Sequence, residues 1–321
     1  MRHQYIVGSR GRLINVGEDV LDNGRPVMLA FEAEGGLHMR KALTILTTVA
    51  ALAVIVLLMG AAGAPADKST PPCDTQPLCV GPYLLLDGDS ALHVRWTVNG
   101  EGDGASVVLS EKGGTREFKA GRLPEDKLAA GLGTVAYGVK LGRLEPCATY
   151  SYRLEPLEKS DVAHKFRAPP KQGSSCPEGL RIAAYGDNRT GHKDHAAVVD
   201  RMLKTRWDLL LNVGDIVDFA DHLEEWPKFF SIERALLASA PIVIAPGNHE
   251  CWGNARVGLA LLKRYFAAGE VGGSGDRSFD FGPLHIVVLD LYFGLPPGEG
   301  GIEWLRKDLS AVPKDRFKIV V

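Results

Sequence analysis

The sequence predicts a two-domain protein in which an all-β sandwich is followed by an α/β sandwich. Two patterns support this prediction. Residues 81–170 contain short alternating strands separated by turns, and residues 179–321 alternate buried strands with helices. The length agrees, because 321 residues at roughly 150 per domain allow two hydrophobic cores.

Composition places the chain among ordinary globular proteins. Hydrophobic residues make up 45% of it, and 37 Lys and Arg stand against 39 Asp and Glu, for a formal net charge of −2. A near-neutral chain without a basic run lacks the electrostatic footprint of a nucleic-acid-binding protein. We therefore expect no nucleic-acid partner, and the sequence leaves the oligomeric state open.

An apolar segment near the start predicts export to the periplasm, the cell surface or the medium. The stretch from Ala42 to Ala66 contains no charged residue, follows a basic pair and ends in small residues suited to cleavage. Residues 39–66 are thus a signal peptide; alternatively, residues 42–64 remain as an uncleaved membrane anchor. Residues 1–38 are then a miscalled extension before the true start, or a short cytoplasmic tail.

Export determines how the five cysteines are interpreted. In an oxidising compartment we expect disulfides among Cys73, Cys79, Cys147 and Cys176, and four cysteines allow three pairings. Cys251 is left over. A buried small side chain or a disulfide partner is a more ordinary role for it than a metal ligand.

The first domain follows a Pro-containing linker at residues 67–80. Within residues 81–170, Leu92, Val94 and Trp96 alternate with their neighbours up to an Asn-Gly turn, which predicts a half-buried strand. Further short strands at similar spacing predict a β-sandwich of roughly 90–100 residues. This half of the chain presents no catalytic pattern.

A later part of the same segment resembles a fibronectin-III-like module. Leu144, Pro146, Tyr150 and Tyr152 are the residues on which this resemblance rests. It implies that Tyr150 forms a tyrosine corner, in which the hydroxyl bonds to the backbone a few residues upstream.

From Gly179 onwards the pattern is that of βαβ units. Buried runs at residues 181–185, 207–213 and 241–245 are separated by helical spacing at residues 195–203 and 226–236. A hairpin around Gly282-Pro283, a helix at residues 303–309 and a strand at residues 317–321 follow. Such alternation predicts a parallel sheet flanked by helices.

Each of the three buried runs ends in a polar residue: Asp187, Asp215 and Asn248. One such residue often only caps a helix or forms a turn. Three in register converge on one edge of a sheet, where open α/β sheets bind ligands. Carboxylate and amide oxygens suit hard or borderline divalent ions, and the adjacent His249 suits Zn, Fe or Mn.

These motifs resemble the calcineurin-like metallophosphoesterases. Gly186-Asp187, Gly214-Asp215-x-x-Asp218 and Gly247-Asn248-His249-Glu250 match that family's first three signature blocks in order and spacing. The resemblance covers roughly residues 78–321. With the sandwich in front, the chain is most similar to the purple acid phosphatase-like branch.

The resemblance implies a role for each of these residues. Asp187 ligates a first metal ion, Asp215 bridges two ions, Asn248 ligates the second, and His249 lies beside the substrate phosphate. Two ions of Fe, Zn or Mn then activate a water that attacks the phosphorus of a small phosphoester. A phosphomonoesterase is the leading expectation. A phosphodiesterase or nucleotidase, or a non-catalytic exported binding module, is the alternative.

Two positions depart from the family pattern. Arg189 stands where many members have a His, and Asp218 stands where purple acid phosphatases have a Tyr. His192 or His195 could replace the missing ligand of the first metal, although solvation on a helix face explains both equally well. Asp218 is a further candidate, and Arg189 could bind phosphate or form a surface ion pair.

The end of the chain is also interpreted through the resemblance. After a strand like residues 318–321, the family continues into a His-bearing turn and a Gly-His-x-His block, which complete both metal sites. We therefore expect a C-terminally truncated fragment with an incomplete α/β sandwich, lacking those ligands and inactive alone.

Overall fold

The computed structural model describes most of the chain from residue 77 onwards. Gaps fall at residues 87–90, 101–104, 112, 125–126, 129–131, 267–275 and 294–298, and only the backbone is described at 5–7, 13–15, 27–33 and 299–301. The predicted leader at residues 39–66 and Cys73 lie outside the described residues. Within them, no helix is long and apolar enough to cross a membrane.

Eight strands in the part of the chain predicted to be the first domain form two sheets. The strands are β4 (Leu78–Leu86), β5 (Leu92–Asn99), β6 (Ser106–Glu111), β7 (Gly114–Lys119), β8 (Gly121–Arg122), β9 (Thr134–Leu141), β10 (Thr149–Glu155) and β11 (His164–Arg167). One sheet has the order β4-β5-β9-β8 and the other the order β11-β10-β6-β7. Trp96, Leu109 and Tyr152 are among the side chains buried between them.

The backbone N–H of Glu145 donates to the hydroxyl oxygen of Tyr150 at 2.8 Å, which is the bond that a tyrosine corner requires. The relation of this sandwich to fibronectin-III modules stays a prediction.

The part of the chain predicted to be the second domain contains three parallel strands, β12 (Leu180–Gly186), β13 (Leu209–Asn212) and β14 (Ile242–Ile244). The helices α1 (His192–Met202), α2 (Glu225–Leu237) and α3 (Ala255–Phe266) accompany them. A second sheet contains β15 (Arg277–Phe281), β16 (Leu284–Val288) and β17 (Phe317–Val320), and α4 (Glu299–Ala311) precedes β17. The predicted elements are present, and α3 is an addition that the sequence analysis does not predict.

Alternate residues of the parallel strands enter two different cores. Ile182 and Leu211 pack in the core that contains β15 and β16, whereas Ala183 and Leu210 pack in the core formed with the helices. A strand covered on both faces reads as a continuous apolar run, which explains the three uninterrupted runs in the sequence.

The two predicted domains share a sheet. β14 pairs in parallel with β4 through Ile242 and Leu85, so their sheets form one continuous sheet. The strands β1 (Tyr5–Val7), β2 (Leu13–Asn15) and β3 (Val27–Ala33) lie at its other end, where β3 pairs antiparallel with β12. The sequence analysis does not predict this pairing.

Candidate active site

Three loops leave the carboxyl ends of β12, β13 and β14 and meet at one edge of the sheet. The backbone N–H of Asp187 donates to the carbonyl oxygen of Gly214 at 3.0 Å, and that of Arg189 donates to the carbonyl oxygen of Asp215 at 3.1 Å. The first loop is therefore hydrogen-bonded to the second. Both aspartates lie where the strand order predicts a ligand site.

Asp187 and Asp215 have an unusual backbone conformation. Both have φ of 59°, in the left-handed region, which costs a residue with a side chain about 1–2 kcal/mol. Gly214 has φ of 92°, and a Cβ added to it would lie 2.3 Å from the nitrogen of Gly247. The second and third loops thus touch through their backbones, with no space for a side chain between them.

The guanidinium of Arg189 lies among three carboxylates. Its Nη1 donates to Oδ1 of Asp187 and, at 2.8 Å, to Oδ2 of Asp215. Its Nε lies 3.9 Å from Oδ1 of Asp218. The sequence analysis considers phosphate binding or a surface ion pair for Arg189. The structure shows ion pairs, and their partners are the carboxylates of the candidate site.

The pKa of Asp215 is raised by burial and lowered by its hydrogen-bond donors. Burial raises the pKa of its carboxyl, and the charge of Asp187 raises this pKa further. Two groups lower the pKa: the backbone N–H of His249, which donates to Oδ1 at 3.1 Å, and the guanidinium of Arg189. Because burial disfavours the charged form of this carboxylate, a cation nearby would stabilise it.

Glu250 ties the second loop to the third. Its carboxylate is fully buried; Oε2 accepts the backbone N–H of Asp215 at 2.9 Å and of Gly247 at 2.7 Å, and Oε1 accepts that of Ile216 at 2.7 Å. Burial raises the pKa of this carboxyl. The sequence analysis assigns Glu250 no role, although an acid that closes a Gly-Asn-His-Glu motif after a buried strand is the signal that could have revealed it.

His249 is held in one orientation. Its Nδ1 lies 2.7 Å from the carbonyl oxygen of Asp218, and its ring packs on that of Trp252 with centroids 4.0 Å apart. A carbonyl oxygen only accepts, so Nδ1 holds a proton and Nε2 is the nitrogen that can gain or lose one.

The donor set fits a metal ion. The Arg189 guanidinium shared by Asp187 and Asp215 is a stand-in for a cation, because it shows that both carboxylates converge on one positive charge. In the described part of the chain no three His, Cys, Asp or Glu side chains are grouped to hold a metal ion. Asn248 follows β14 and offers an amide oxygen as a further donor; its Nδ2 is buried without a hydrogen-bond partner, and its role as a ligand stays a prediction. Oxygen donors suit a hard or borderline divalent ion.

The two histidines of α1 differ in their surroundings. His195 is buried, and its Nε2 lies 2.8 Å from Oε1 of Glu233 on α2. Burial excludes solvation on the helix face, and the hydrogen-bond partners of Nε2 are Glu233 and Asn188 rather than Asp187 or Asp215. His192 begins α1 and makes no hydrogen bond or ion pair with Asp187 or Asp215 within the described residues, so its role as a ligand stays a prediction.

Hydrogen bonds among buried polar side chains connect the first loop of the site to the second. Nδ2 of Asn188 lies 3.1 Å from Nε2 of His195, and Oδ1 of Asn188 accepts from Nδ2 of Asn212 at 3.4 Å. Oδ1 of Asn212 in turn accepts the N–H of Gly214 at 2.9 Å. The sequence analysis does not find this network, because its partners come from separate elements.

Comparison with known proteins identifies the family that residues 180–321 resemble. Residues 180–321 match the family model described as calcineurin-like phosphoesterase. Purple acid phosphatase 15 of Arabidopsis thaliana is 25% identical over 252 residues, which cover 69% of this chain and 45% of the relative. Acid phosphatase type 7 of Homo sapiens is 28% identical over 198 residues, which cover 56% of this chain and 41% of the relative.

A solved structure shows the same fold. The purple acid phosphatase from yellow lupin (Lupinus luteus) seeds aligns with a TM-score of 0.60 at 20% identity, covering 74% of this chain and 50% of that chain. The chain spans less than half the length of the two curated relatives. The resemblance predicted from the three motifs is confirmed: residues 180–321 match the calcineurin-like phosphoesterases, and the relatives and the solved structure that the chain resembles are purple acid phosphatases and an acid phosphatase.

Proposed function

We propose that the protein hydrolyses small phosphomonoesters with the help of bound metal ions. The observation that supports this best is the convergence of Asp187 and Asp215 on one cation, with the oriented ring of His249 beside them. Members of the calcineurin-like phosphoesterase family use a dimetal centre, and Asp187, Asp215 and Asn248 are the residues of this chain that would hold one. Fe, Zn and Mn all suit these ligands.

Held by these residues, metal ions would lower the pKa of a bound water and so supply the nucleophile. His249 keeps Nδ1 on the carbonyl oxygen of Asp218, so its Nε2 is free to place a proton on the leaving oxygen. Arg189 adds a planar cationic fork of the kind that binds two phosphate oxygens at once.

The proposal is tested with Asp215→Asn. We expect the variant to lose bound metal, measured by elemental analysis, and turnover of p-nitrophenyl phosphate. Asp200→Asn is the matched control, because Asp200 is exposed on α1, and both variants are checked for folding by circular dichroism. Unchanged metal content in Asp215→Asn, with no turnover by either the variant or the unchanged protein, would instead support a non-catalytic binding module. A higher kcat/KM for bis-p-nitrophenyl phosphate would favour a phosphodiesterase.

We also propose that the protein is exported. Cys147 and Cys176 form a disulfide that closes a separation of 29 residues, and Cys79 is disulfide-bonded as well. Such bonds persist in oxidising compartments. N-terminal sequencing of the native protein tests the route: a mature chain that starts at Asp67 indicates a cleaved signal, and one that retains the apolar segment indicates an anchor.

A further inference from the structure

Arg189 binds the carboxylate oxygens that a metal ion at this site would need. Oδ2 of Asp215 accepts from Nη1 of Arg189 at 2.8 Å, and Oδ1 of the same carboxylate accepts the backbone N–H of His249 at 3.1 Å. Nη1 of Arg189 also donates to Oδ1 of Asp187. Both oxygens of Asp215 and one oxygen of Asp187 therefore have a donor, and a single guanidinium nitrogen supplies two of these three bonds.

A guanidinium and a divalent ion are poorly accommodated on the same oxygens. A metal ion binds a carboxylate oxygen at about 2.0–2.6 Å, and Nη1 already lies 2.8 Å from Oδ2 of Asp215. An ion on that oxygen would repel the positive charge of Arg189 at short range. The N–H of His249 belongs to the backbone, so the side chain of Arg189 is the donor that can withdraw.

The side chain of Arg189 is free to move away from the carboxylates. It is 24% exposed and its partner Asp187 is 54% exposed, so neither group is enclosed. Its Nε lies 3.9 Å from Oδ1 of Asp218, which is too long for a hydrogen bond. The backbone N–H of Arg189 donates to the carbonyl oxygen of Asp215 at 3.1 Å. The loop can therefore stay in place while the side chain changes its rotamer.

We propose that Arg189 competes with metal ions for the carboxylates of Asp187 and Asp215. The guanidinium neutralises the two carboxylates before an ion binds, and it withdraws when an ion takes its place. The inference rests on the proposed function, because it concerns the ions on which the hydrolysis depends. Metal binding breaks the ion pairs of Arg189, so this residue lowers the affinity of the site for the ion.

The experiment measures Mn²⁺ binding to the chelator-treated protein by isothermal titration calorimetry. Arg189→Met removes the charge and offers no oxygen ligand. We expect it to lower the Kd for Mn²⁺ roughly tenfold, because the ion no longer displaces a charge-assisted hydrogen bond. Arg189→Ala should change the Kd in the same direction. Arg201→Met is the matched control, since it removes the same charge from an exposed position on α1, and its Kd should change less than about twofold.

Thermal unfolding supplies a second readout. With a chelator present, Arg189→Met should have a lower Tm than Arg201→Met, because the carboxylates of Asp187 and Asp215 then lack their cation and repel each other. Saturating Mn²⁺ should narrow or reverse this difference, since a ligand that binds the folded state more tightly stabilises it more.

A purely structural Arg189 predicts the opposite sign, because its loss would let the two carboxylates separate and would weaken Mn²⁺ binding. An unchanged or higher Kd in Arg189→Met would therefore overturn the inference, whereas turnover of p-nitrophenyl phosphate by the unchanged protein would still support the hydrolase. If the unchanged protein neither binds Mn²⁺ nor hydrolyses this ester, yet Arg189→Met binds Mn²⁺, the inference stands and the hydrolytic function is rejected. If neither protein binds Mn²⁺, the inference is rejected.

Discussion

Replacement of Glu250 by Gln tests whether its buried carboxylate holds the second and third loops together. The carboxylate accepts three backbone N–H groups, two on Oε2 and one on Oε1. An amide retains one oxygen, so its best orientation keeps the bonds from Asp215 and Gly247 and turns an NH₂ group toward the N–H of Ile216. One charge-assisted bond, worth about 1.5–3 kcal/mol, is lost. The lower cost of burying a neutral group offsets part of this loss.

We therefore expect Glu250→Gln to destabilise the protein by about 2 kcal/mol, or roughly 4–8 °C in Tm for a unit of this size. Thermal unfolding followed by near-UV circular dichroism measures the change, with Glu117→Gln on the exposed face of β7 as the control. Hydrogen exchange supplies a local readout, because the amide of Ile216 should exchange faster. A Tm equal to that of the control, with unchanged exchange at Ile216, would refute the reasoning.

Three further predictions concern other positions. Gly258→Ala should destabilise by about 1–3 kcal/mol although Ala favours helices, because the new Cβ would lie 1.8 Å from the carbonyl oxygen of Glu250; urea unfolding measures it. Burial raises the pKa of Cys251 to about 11, so its alkylation by iodoacetamide at pH 8 should be on the order of a hundredfold slower than that of an unperturbed thiol. Burial would raise the pKa of Asp280, yet hydrogen bonds such as that from Arg316 hold it below 3.8. The stabilisation from the ionised Asp280 carboxylate is present above pH 3.8 and is lost as the pH falls through the lower folded-state pKa. In Asp280→Asn the free energy of unfolding, measured against pH, should therefore fall less steeply on the acid side.

The sequence predicts the parts of the fold that depend on local pattern. The runs that become β12, β13 and β14 are continuous because both faces of the sheet are covered, and each is followed by its polar residue. Arg95 shows where such reasoning ends. The alternation in β5 predicts that Arg95 faces outward, but it is only 6% exposed, because its Nη1 donates to the carbonyl oxygen of Arg264 on α3. A partner 169 residues away leaves no trace in the local pattern.

The same limit applies to the candidate site. Asp187, Asp215 and His249 can be identified from the sequence because each belongs to a short motif after a strand. Glu233, which meets His195 under the first loop, belongs to no such motif. It is a fully buried acid on an amphipathic helix, and the sequence alone does not distinguish it from a surface acid.

The arrangement of the site depends on these buried acids and amides more than on regular secondary structure. In the described part of the chain, five residues other than glycine have a positive φ, and three of them, Asp187, Thr190 and Asp215, lie in the first two loops of the site. Backbone strain persists only where the surroundings leave no relaxed alternative. Glu250 and Asn212 supply that constraint, because each accepts backbone N–H groups from the loop of Asp215. Removal of either acceptor should therefore release the loop and separate the carboxylates, even though neither side chain would touch a metal ion or a substrate.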